Sequence, residues 1–352
     1  MHGRMDGTEG FRWGIVGTGG IARQFADDLA HVPGARLAAV CSRSRDSAER
    51  FVAGAERVRI HTGLDDLLGD PAVDAVYIAT PNHLHAAQAL QAVQAGKPTL
   101  VEKPVATTSA DAAALFEAAC GVFVMEAMWS RFLPAVAEAR RLIAEGAIGT
   151  PERVEAELAY ARNPQRDARF FDAAAGGGAA LDLGVYPLSL AMFLFGEPDA
   201  VSGRWVRGPG GVDLRCAFTL AFGGVRAALA CGIDRDGANA FTVFGSAGAL
   251  RLHAPFLKAQ RLTLYSKAAA GLPLVGAGRS LPGLPGKVLA RMPVPGRRIM
   301  EFPFPGNGLQ FEAKAVMEAV RRGETVSPVS PPAHSLEVLR VIETVLSGSA
   351  AS

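Results

Sequence analysis

The sequence predicts an α/β chain in which an N-terminal doubly wound parallel sheet is followed by an α+β domain with a mostly antiparallel sheet. Strand and helix patterns alternate along residues 11–125, which is typical of a parallel sheet with crossover helices. After residue 134, short strands with Gly-rich turns follow one helix, which favours an antiparallel sheet. Because 352 residues exceed one ordinary compact core, we expect two domains, residues 10–128 and 129–347.

The predicted N-terminal elements follow one another closely. The apolar runs FRWGIV, RLAAV and AVYIA are typical of strands buried on both faces of a parallel sheet. A helical pattern separates each strand from the next, as βαβ units require. The set comprises strands at residues 11–16, 36–40, 75–79 and 99–101, helices at 21–29, 46–52, 85–95 and 109–119, and an apolar run at 122–125.

The predicted C-terminal elements differ in kind. Residues 267–298 concentrate proline and glycine without periodicity, so we expect a surface excursion there. We expect the final helix to pack back towards the N-terminal domain. The elements are helices at residues 135–145, 310–322 and 335–347, with strands that include 153–160, 214–222 and 225–231.

Composition and charge exclude several classes of protein. Hydrophobic residues make up 49% and charged residues 20%, which is far from a disordered composition. The net charge of +2 provides no basic field for nucleic acid. The four cysteines lack CxxC spacing, so no metal site or disulfide framework is expected. Without an export signal or an uninterrupted apolar span, we expect a soluble, cytoplasmic protein with no membrane partner.

A glycine-rich turn with the pattern GxGxxA follows the first predicted strand and opens a helix. The glycines permit a tight turn and close approach of a phosphate, while Ala22 leaves room for helix–sheet packing. A dinucleotide pyrophosphate binds the backbone N–H groups at this place, and a purely structural turn is the alternative. The predicted cofactor contacts here are Gly17, Thr18, Gly19, Gly20 and Ile21.

The second predicted strand ends in a basic turn that contains no acid before Asp46. An enzyme that uses NAD usually places a carboxylate here to accept the ribose hydroxyls. Ser42 and Arg43 can instead hydrogen-bond and pair with a 2′-phosphate. The turn therefore favours NADP over NAD, and a solvated basic turn is the alternative.

Two polar loops follow neighbouring strands at the carboxyl edge of the predicted sheet, where open α/β sheets bind ligands. One is Glu102-Lys103-Pro104, and the other is TPNHLH, residues 80–85. Two such loops make a site at Lys103 plausible, although a lone lysine at a strand end is usually solvated. His83 and His85 are also typical of helix-capping or surface histidines.

The stretch GGGAALDLGVYP carries the most chemistry in the second half of the chain. Asp182 and Tyr186 are four residues apart, which on a helix places them on one face. Pro187 disfavours helix at Tyr186 unless it lies in a first turn. The alternative is a Gly-rich loop before a helix with a buried tyrosine.

Taken in order, GxGxxA, TPNHLH, EKP and GGGAALDLGVYPL resemble the Gfo/Idh/MocA oxidoreductase family. The resemblance spans nearly the whole chain. The segments VMEAMWSRFLPA, RFFDAAAGGGAALDLGVYPLSLAMFLFG and GNGLQFEAKAVMEAVRRGE are most similar to the branch of dimeric dihydrodiol dehydrogenases and D-xylose dehydrogenases.

The resemblance implies an N-terminal Rossmann domain that binds NAD(P). It also implies a C-terminal domain with an open, mostly antiparallel sheet through which subunits form a homo-oligomer, a dimer or a tetramer. It implies a small substrate, namely a sugar, polyol or trans-dihydrodiol. The implied catalytic residues are Lys103, Asp182 and Tyr186. The further implied cofactor contacts are Thr80, Asn82, His85, Glu102 and Lys103. The implied substrate contacts are Trp129, Arg169, Asp182 and Tyr186.

The expected reaction is hydride transfer between nicotinamide C4 and a carbinol carbon, with Tyr186 exchanging the hydroxyl proton. Three alternatives stay open: reduction of a keto-sugar or imine, hydrolysis of a glycoside with retained NAD, and a non-catalytic NADP sensor or regulator. The presence of Lys103, Asp182 and Tyr186 together argues against a sensor.

Overall fold

A computed structural model of the chain describes residues 10–271 and 295–350. The chain divides into two compact units. The first unit comprises Met1–Trp129 and Pro305–Leu336, and the second comprises Ser130–Phe304 and Glu337–Ser352. The first unit therefore takes in a late segment of the sequence, which lies inside the range 129–347 predicted for the C-terminal domain.

The first unit contains a parallel sheet of six strands, in the order β3-β2-β1-β4-β5-β6. The strand order reverses between β1 and β4, which makes the sheet a doubly wound one and confirms the predicted fold. β4 is buried along its whole length, as its apolar sequence requires. The strands are β1 (Phe11–Val16), β2 (Ala35–Cys41), β3 (Arg59–His61), β4 (Ala75–Ile78), β5 (Thr99–Glu102) and β6 (Val124–Ala127).

Two helices of this unit, α2 and α5, begin at a capping side chain. Ser44 and Thr108 accept hydrogen bonds from backbone N–H groups in the first turns of α2 and α5. The short β3 and α3 were not predicted, because three to five residues carry no usable periodicity. The helices are α1 (Gly20–Asp28), α2 (Arg45–Phe51), α3 (Leu64–Leu68), α4 (His85–Gln94) and α5 (Ser109–Ala118).

An aromatic stack packs α1 against the centre of this sheet. The rings of Phe25 and Tyr77 are stacked with centroids 3.8 Å apart, and Trp13 meets Phe25 edge-on at 5.2 Å. All three side chains are fully buried. Tyr77 therefore stands at a fixed place on β4, with its hydroxyl directed to the end of β5.

The second unit contains a sheet in the order β14-β13-β12-β11-β7-β10-β9-β8. Every pairing is antiparallel except that of β7 with β10. This confirms the mostly antiparallel sheet. Its strands are β7 (Pro151–Ala159), β8 (Ala200–Arg207), β9 (Asp213–Phe222), β10 (Val225–Gly232), β11 (Phe241–Gly245), β12 (Gly248–Leu252), β13 (Arg261–Ser266) and β14 (Arg297–Glu301).

The helices of the second unit are α6 (Pro134–Ala144), α7 (Val185–Phe195) and the short α8 (Lys267–Ala270). A π-turn, Ala180–Gly184, leads directly into α7, and both pack on β7 and β10. By length and composition Ala173–Phe195 is apolar enough to cross a membrane, but 83% of its most apolar window is buried inside the fold. Its apolar character is thus that of a core helix.

Two further helices complete the chain, α9 (Gln310–Arg321) and α10 (Pro332–Ser347). The carboxylate of Asp28 accepts hydrogen bonds from the backbone N–H groups of Asn307 and Leu309, and so anchors the approach to α9. Of the predicted excursion at residues 267–298, residues 272–294 lie outside the described part of the chain. Its flanks belong to α8 and β14, which contradicts an excursion at those positions.

Candidate active site

The glycine-rich turn begins where β1, β2 and β4 end together. Gly17 has a φ of +106°, and a Cβ there would lie 2.5 Å from the carbonyl oxygen of Ala79. Its N–H donates to the carbonyl oxygen of Cys41 at 2.9 Å. Both the backbone conformation and the lack of space therefore require glycine at this position.

The turn opens to solvent at the start of α1. A Cβ at Gly19 or Gly20 would meet nothing within 4 Å, and no side chain caps the helix. The backbone N–H groups of the first helical turn are thus available to an anion, which the helix dipole also favours. Thr18 and Ile21 are partly buried beside the opening. These residues fit the pyrophosphate of a dinucleotide.

The basic turn after β2 uses most of its polar groups within itself. Ser44 caps α2 at 3.2 Å, Ser42 accepts from the N–H of Ser44 at 3.4 Å, and Arg45 pairs with Glu49 at 3.1 Å. Arg43 is exposed and has no ion pair within residues 10–271 and 295–350. Its guanidinium is therefore the group of this turn best able to meet a phosphate.

His85 joins the two loops that were predicted to meet at the sheet edge. Its Nδ1 lies 2.7 Å from the carbonyl oxygen of Pro104, and its Nε2 lies 2.7 Å from that of Thr80. The side chain is buried, so the surface interpretation of this histidine is wrong, whereas His83 is exposed. Burial lowers the pKa of His85, and the charge of Lys103 lowers it further.

The other predicted cofactor contacts of TPNHLH, Thr80 and Asn82, lie in the loop that precedes α4. Thr80 donates its hydroxyl to Gln88 Oε1 at 2.6 Å, and Asn82 is partly buried. Asn82 also lines a cavity of about 290 Å³ beside α4 and α5. Both side chains thus lie at the carboxyl edge of β4, where they were predicted.

Glu102 is the last residue of β5, and its carboxylate points into the unit. Tyr77 Oη donates to one oxygen, and the backbone N–H of Lys103 donates to the other at 3.1 Å. Burial raises the pKa of Glu102 to about 7, against the opposing effects of Tyr77 and Lys103. These bonds favour a role in holding Lys103 over the direct cofactor contact predicted for Glu102.

In the second unit, Asp182 and Tyr186 lie on one continuous helical stretch. Asp182 belongs to the π-turn and Tyr186 to the first turn of α7, and both are largely buried. Pro187 falls in that first turn, and the stretch stays helical there although the proline has no N–H to donate to a preceding carbonyl. The Gly-rich loop is therefore confined to the residues before the π-turn.

The glycines before the π-turn are required by packing. A Cβ at Gly177 would lie 2.7 Å from the carbonyl oxygens of Arg169 and Phe170, and one at Gly178 would collide with the carboxylate of Asp213. Asp213 accepts a hydrogen bond from the N–H of Ala180 at 2.7 Å. It thereby caps the π-turn that carries Asp182, a role with no local signal in the sequence.

Arg162 is a second residue that sequence reasoning missed. Its guanidinium lies 3.5 Å from Asp182 Oδ2 and stacks over the ring of Phe170 at 4.5 Å. Arg169, predicted to contact substrate, is exposed and stacks over the same ring at 4.2 Å. Within the second unit, the described ion pair of Asp182 is thus with Arg162; Lys103 belongs to the first unit.

Comparisons with known proteins match both halves of the chain. A model described as an oxidoreductase family with an NAD-binding Rossmann fold matches residues 11–123, and one of the Gfo/Idh/MocA C-terminal domain matches residues 136–251. Trans-1,2-dihydrobenzene-1,2-diol dehydrogenase of Bos taurus is 32% identical over 342 residues, 95% of either chain. The chain belongs to the Gfo/Idh/MocA oxidoreductase family.

Other members of the family extend the likeness to sugar enzymes. D-xylose 1-dehydrogenase (NADP(+)) of Hypocrea jecorina is 38% identical over 200 residues, 51% of each chain. The aldose–aldose oxidoreductase of Caulobacter crescentus has a TM-score of 0.79 at 26% identity, over 96% of both chains. KijD10, a 3-ketoreductase from Actinomadura kijaniata solved with NADP and TDP-benzene, has the same score and identity, over 97% of this chain and 98% of that one.

The family motifs therefore lie at the ends of strands and in helices that the structure defines. The resemblance to the family is confirmed, whereas the roles of individual site residues stay predictions. Trp129, predicted to contact substrate, is the last residue of the first segment of unit one and is buried. Within the described ranges, no group of three or more His, Cys, Asp or Glu side chains is arranged to hold a metal ion.

Glu312 on α9 is a buried acid that the family motifs do not explain. It is fully buried, and among the described residues neither carboxyl oxygen has a hydrogen-bond partner. Burial raises its pKa well above the ordinary value, and the charges of Glu102, Glu126 and Asp28 raise it further. The carboxyl group therefore favours its neutral form in the fold.

Replacement of Glu312 by methionine is expected to raise the free energy of unfolding at pH 8 by about 1–3 kcal/mol, because it removes a buried polar group without partners. The wild type loses stability as pH rises above the ordinary carboxyl pKa, because the unfolded chain ionises Glu312 and the folded chain resists it. The gain should therefore shrink at pH 5. Urea denaturation at both pH values measures it.

The matched control is Glu318→Met, which replaces a partly exposed glutamate of the same helix. It should change stability little at either pH. A Glu312→Met variant that is less stable than the wild type at both pH values would show that the carboxyl group is needed by the fold.

Proposed function

We propose that this oxidoreductase is an NADP-dependent dehydrogenase acting on a hydroxyl-bearing carbon of a sugar, polyol or trans-dihydrodiol. The observation that carries the proposal is the carboxyl edge of the parallel sheet, which presents an open phosphate-binding turn after β1 and Lys103 after β5. The alignment with a dihydrodiol dehydrogenase over 95% of the chain supports the substrate class.

When bound, NADP supplies the hydride acceptor at nicotinamide C4. Tyr186 takes the hydroxyl proton of the substrate. A phenol, with an ordinary pKa of about 10, is a poor base at neutral pH without help. The ammonium of Lys103 stabilises the phenolate and polarises the substrate oxygen, and Asp182 accepts hydrogen bonds from the other hydroxyls.

Arg162 has a supporting part in this proposal. Its guanidinium lies 3.5 Å from Asp182 Oδ2 and orients that carboxylate from within the second unit. In the proposed mechanism, Asp182 oriented in this way accepts hydrogen bonds from the substrate hydroxyls.

The test is turnover of NADP+ with a panel of aldoses, polyols and trans-dihydrodiols, followed by nicotinamide absorbance. Oxidation of at least one member of the panel is the expected result. Tight NADPH binding without turnover of any alcohol or ketone would favour a sensor instead.

A second candidate function is reduction of a keto-sugar. The likeness to a 3-ketoreductase favours it, at 26% identity over 97% of the chain. It uses the same residues, with Tyr186 donating the proton. Consumption of NADPH with a keto-sugar panel, at rates above those of the alcohols, distinguishes it from the dehydrogenase.

The choice of NADP is expected to depend on Arg43. Arg43→Ala should weaken NADP binding by about 10–150-fold and change NAD binding little, because one charge-assisted contact to a 2′-phosphate contributes roughly 1.5–3 kcal/mol. The difference should shrink in moderate salt. Fluorescence titration with both cofactors measures it.

The matched control for this titration is Arg45→Ala, because Arg45 is already paired with Glu49 at the surface. It should weaken NADP binding less than Arg43→Ala does. A wild type that prefers NAD, or an Arg43→Ala variant that loses both cofactors equally, would contradict the assignment.

We also propose that subunits associate through the outer face of the second sheet. This face forms a wide concavity of about 1060 Å³ on β7, β8, β9 and β10. Small or polar side chains such as Ser202, Thr219 and Ala228 are exposed there, which suits close approach of a second copy. The mass in solution, measured by light scattering, tests for a homo-oligomer.

A further inference from the structure

The loop that carries Lys103 is held by three buried side chains. The carboxylate of Glu102 accepts from the N–H of Lys103, His85 Nδ1 lies 2.7 Å from the carbonyl oxygen of Pro104, and Glu126 Oε1 accepts from the N–H of Val105 at 2.9 Å. The three come from β5, α4 and β6. We call this arrangement the loop clamp.

Glu126 is the member of the loop clamp for which the sequence motifs provide no role. It is buried in the middle of β6, paired in register with Val101. Its second oxygen accepts from the hydroxyl of Ser335 at 2.7 Å. The late segment of the first unit therefore orients the carboxylate that holds the loop.

Burying a carboxylate in a strand is costly unless its hydrogen bonds are made. Glu126 has both oxygens bonded, one to the Lys103 loop and one to Ser335. The apolar residues around it, such as Met125 and Ala127, would pack a strand without any acid. The two hydrogen bonds that Glu126 accepts therefore explain an acid at this position, and packing of the strand does not.

We propose that Glu126 is a positioning residue for Lys103, whose carboxylate holds the N–H of Val105 and so keeps the loop in the conformation from which Lys103 acts. The inference rests on the catalytic role proposed for Lys103. Displacement of a catalytic group by about 1 Å costs up to about 10²-fold in rate.

Glu126→Ala is expected to lower kcat by about 10–100-fold and to change KM for NADP less than kcat, since the loop that carries Lys103 is released but the glycine-rich turn is untouched. Glu126→Gln should restore most of kcat. Its amide oxygen can accept from Val105, and its amide N–H can donate to Ser335. Glu324→Ala, which removes a partly exposed carboxylate of the same unit, is the matched control.

A double-variant cycle tests whether Glu126 acts through Lys103. Glu126→Ala in a Lys103→Ala background should cost little further kcat, because the group that it positions is already gone. Losses that multiply, or a Glu126→Gln variant as impaired as Glu126→Ala, would overturn the proposal and make Glu126 a residue of general stability.

Amide hydrogen exchange of residues 103–105 tests the loop clamp without any substrate. Val105 should be protected in the wild type and in Glu126→Gln, and should exchange at least about tenfold faster in Glu126→Ala. Equal protection in all three would overturn the proposal. If no substrate is turned over by the wild type, the proposed function fails, and the exchange data still decide whether Glu126 holds the loop.

Discussion

Lys103→Ala is expected to lower kcat by about 10²–10⁴-fold and to weaken NADPH binding much less than that. In the proposed mechanism, the variant removes the charge that stabilises the ionised form of Tyr186 and a hydrogen-bond donor to the substrate oxygen. The backbone of the loop should stay in place, because the loop clamp contacts Lys103 through its N–H. Steady-state kinetics with the best substrate of the panel measures the loss.

Lys314→Ala is the matched control, because Lys314 is an exposed lysine of the same unit. It should leave kcat near the wild-type value. If Lys103→Ala raised KM for the substrate and left kcat unchanged, Lys103 would be a binding residue and the proposed mechanism would lose its electrostatic step.

Tyr186→Phe is expected to lower kcat by about 10²–10⁴-fold, the usual contribution of a positioned acid or base. Cofactor affinity should change little, because Tyr186 is not among the predicted cofactor contacts. The phenyl ring keeps the packing of α7, so the melting temperature should change little.

Tyr265→Phe on β13 provides the control for loss of a largely buried hydroxyl. Near-normal turnover of Tyr186→Phe would remove Tyr186 from the mechanism. Combining Tyr186→Phe with Lys103→Ala should cost much less than the product of the two losses, because the proposed mechanism uses the two groups as one acid/base unit.

Local patterns predicted the strands and helices of the first unit because each depends on a short stretch of sequence. The apolar run at residues 11–16 became β1 with the same bounds, and the helix at 85–95 differs from α4 by one residue. The segment 305–336 has an ordinary helical pattern that contains no sign of the unit it joins. Its membership depends on partners such as Asp28, far away in sequence.

The residues of the candidate site also divide into those that the sequence predicted and those that it did not. The glycine-rich turn, the basic turn and Lys103 could be predicted because their chemistry depends on residue types next to one another in the chain. Glu126 and Arg162 could not be predicted, because each has its meaning only through a distant partner. Val105 is 21 residues from Glu126, and Ser335 is 209 residues away.

The sequence by itself determined the parallel sheet, its phosphate-binding turn and the family of this oxidoreductase. Local periodicity and short motifs predict those features, because the interactions that form them join residues close together in the chain. Only the tertiary structure decided that His85 and Glu126 hold the Lys103 loop, that Asp182 meets Arg162, and that Glu312 is buried. Burial and long-range hydrogen bonds decide the role of a charged side chain, and neither is encoded near that side chain in the chain.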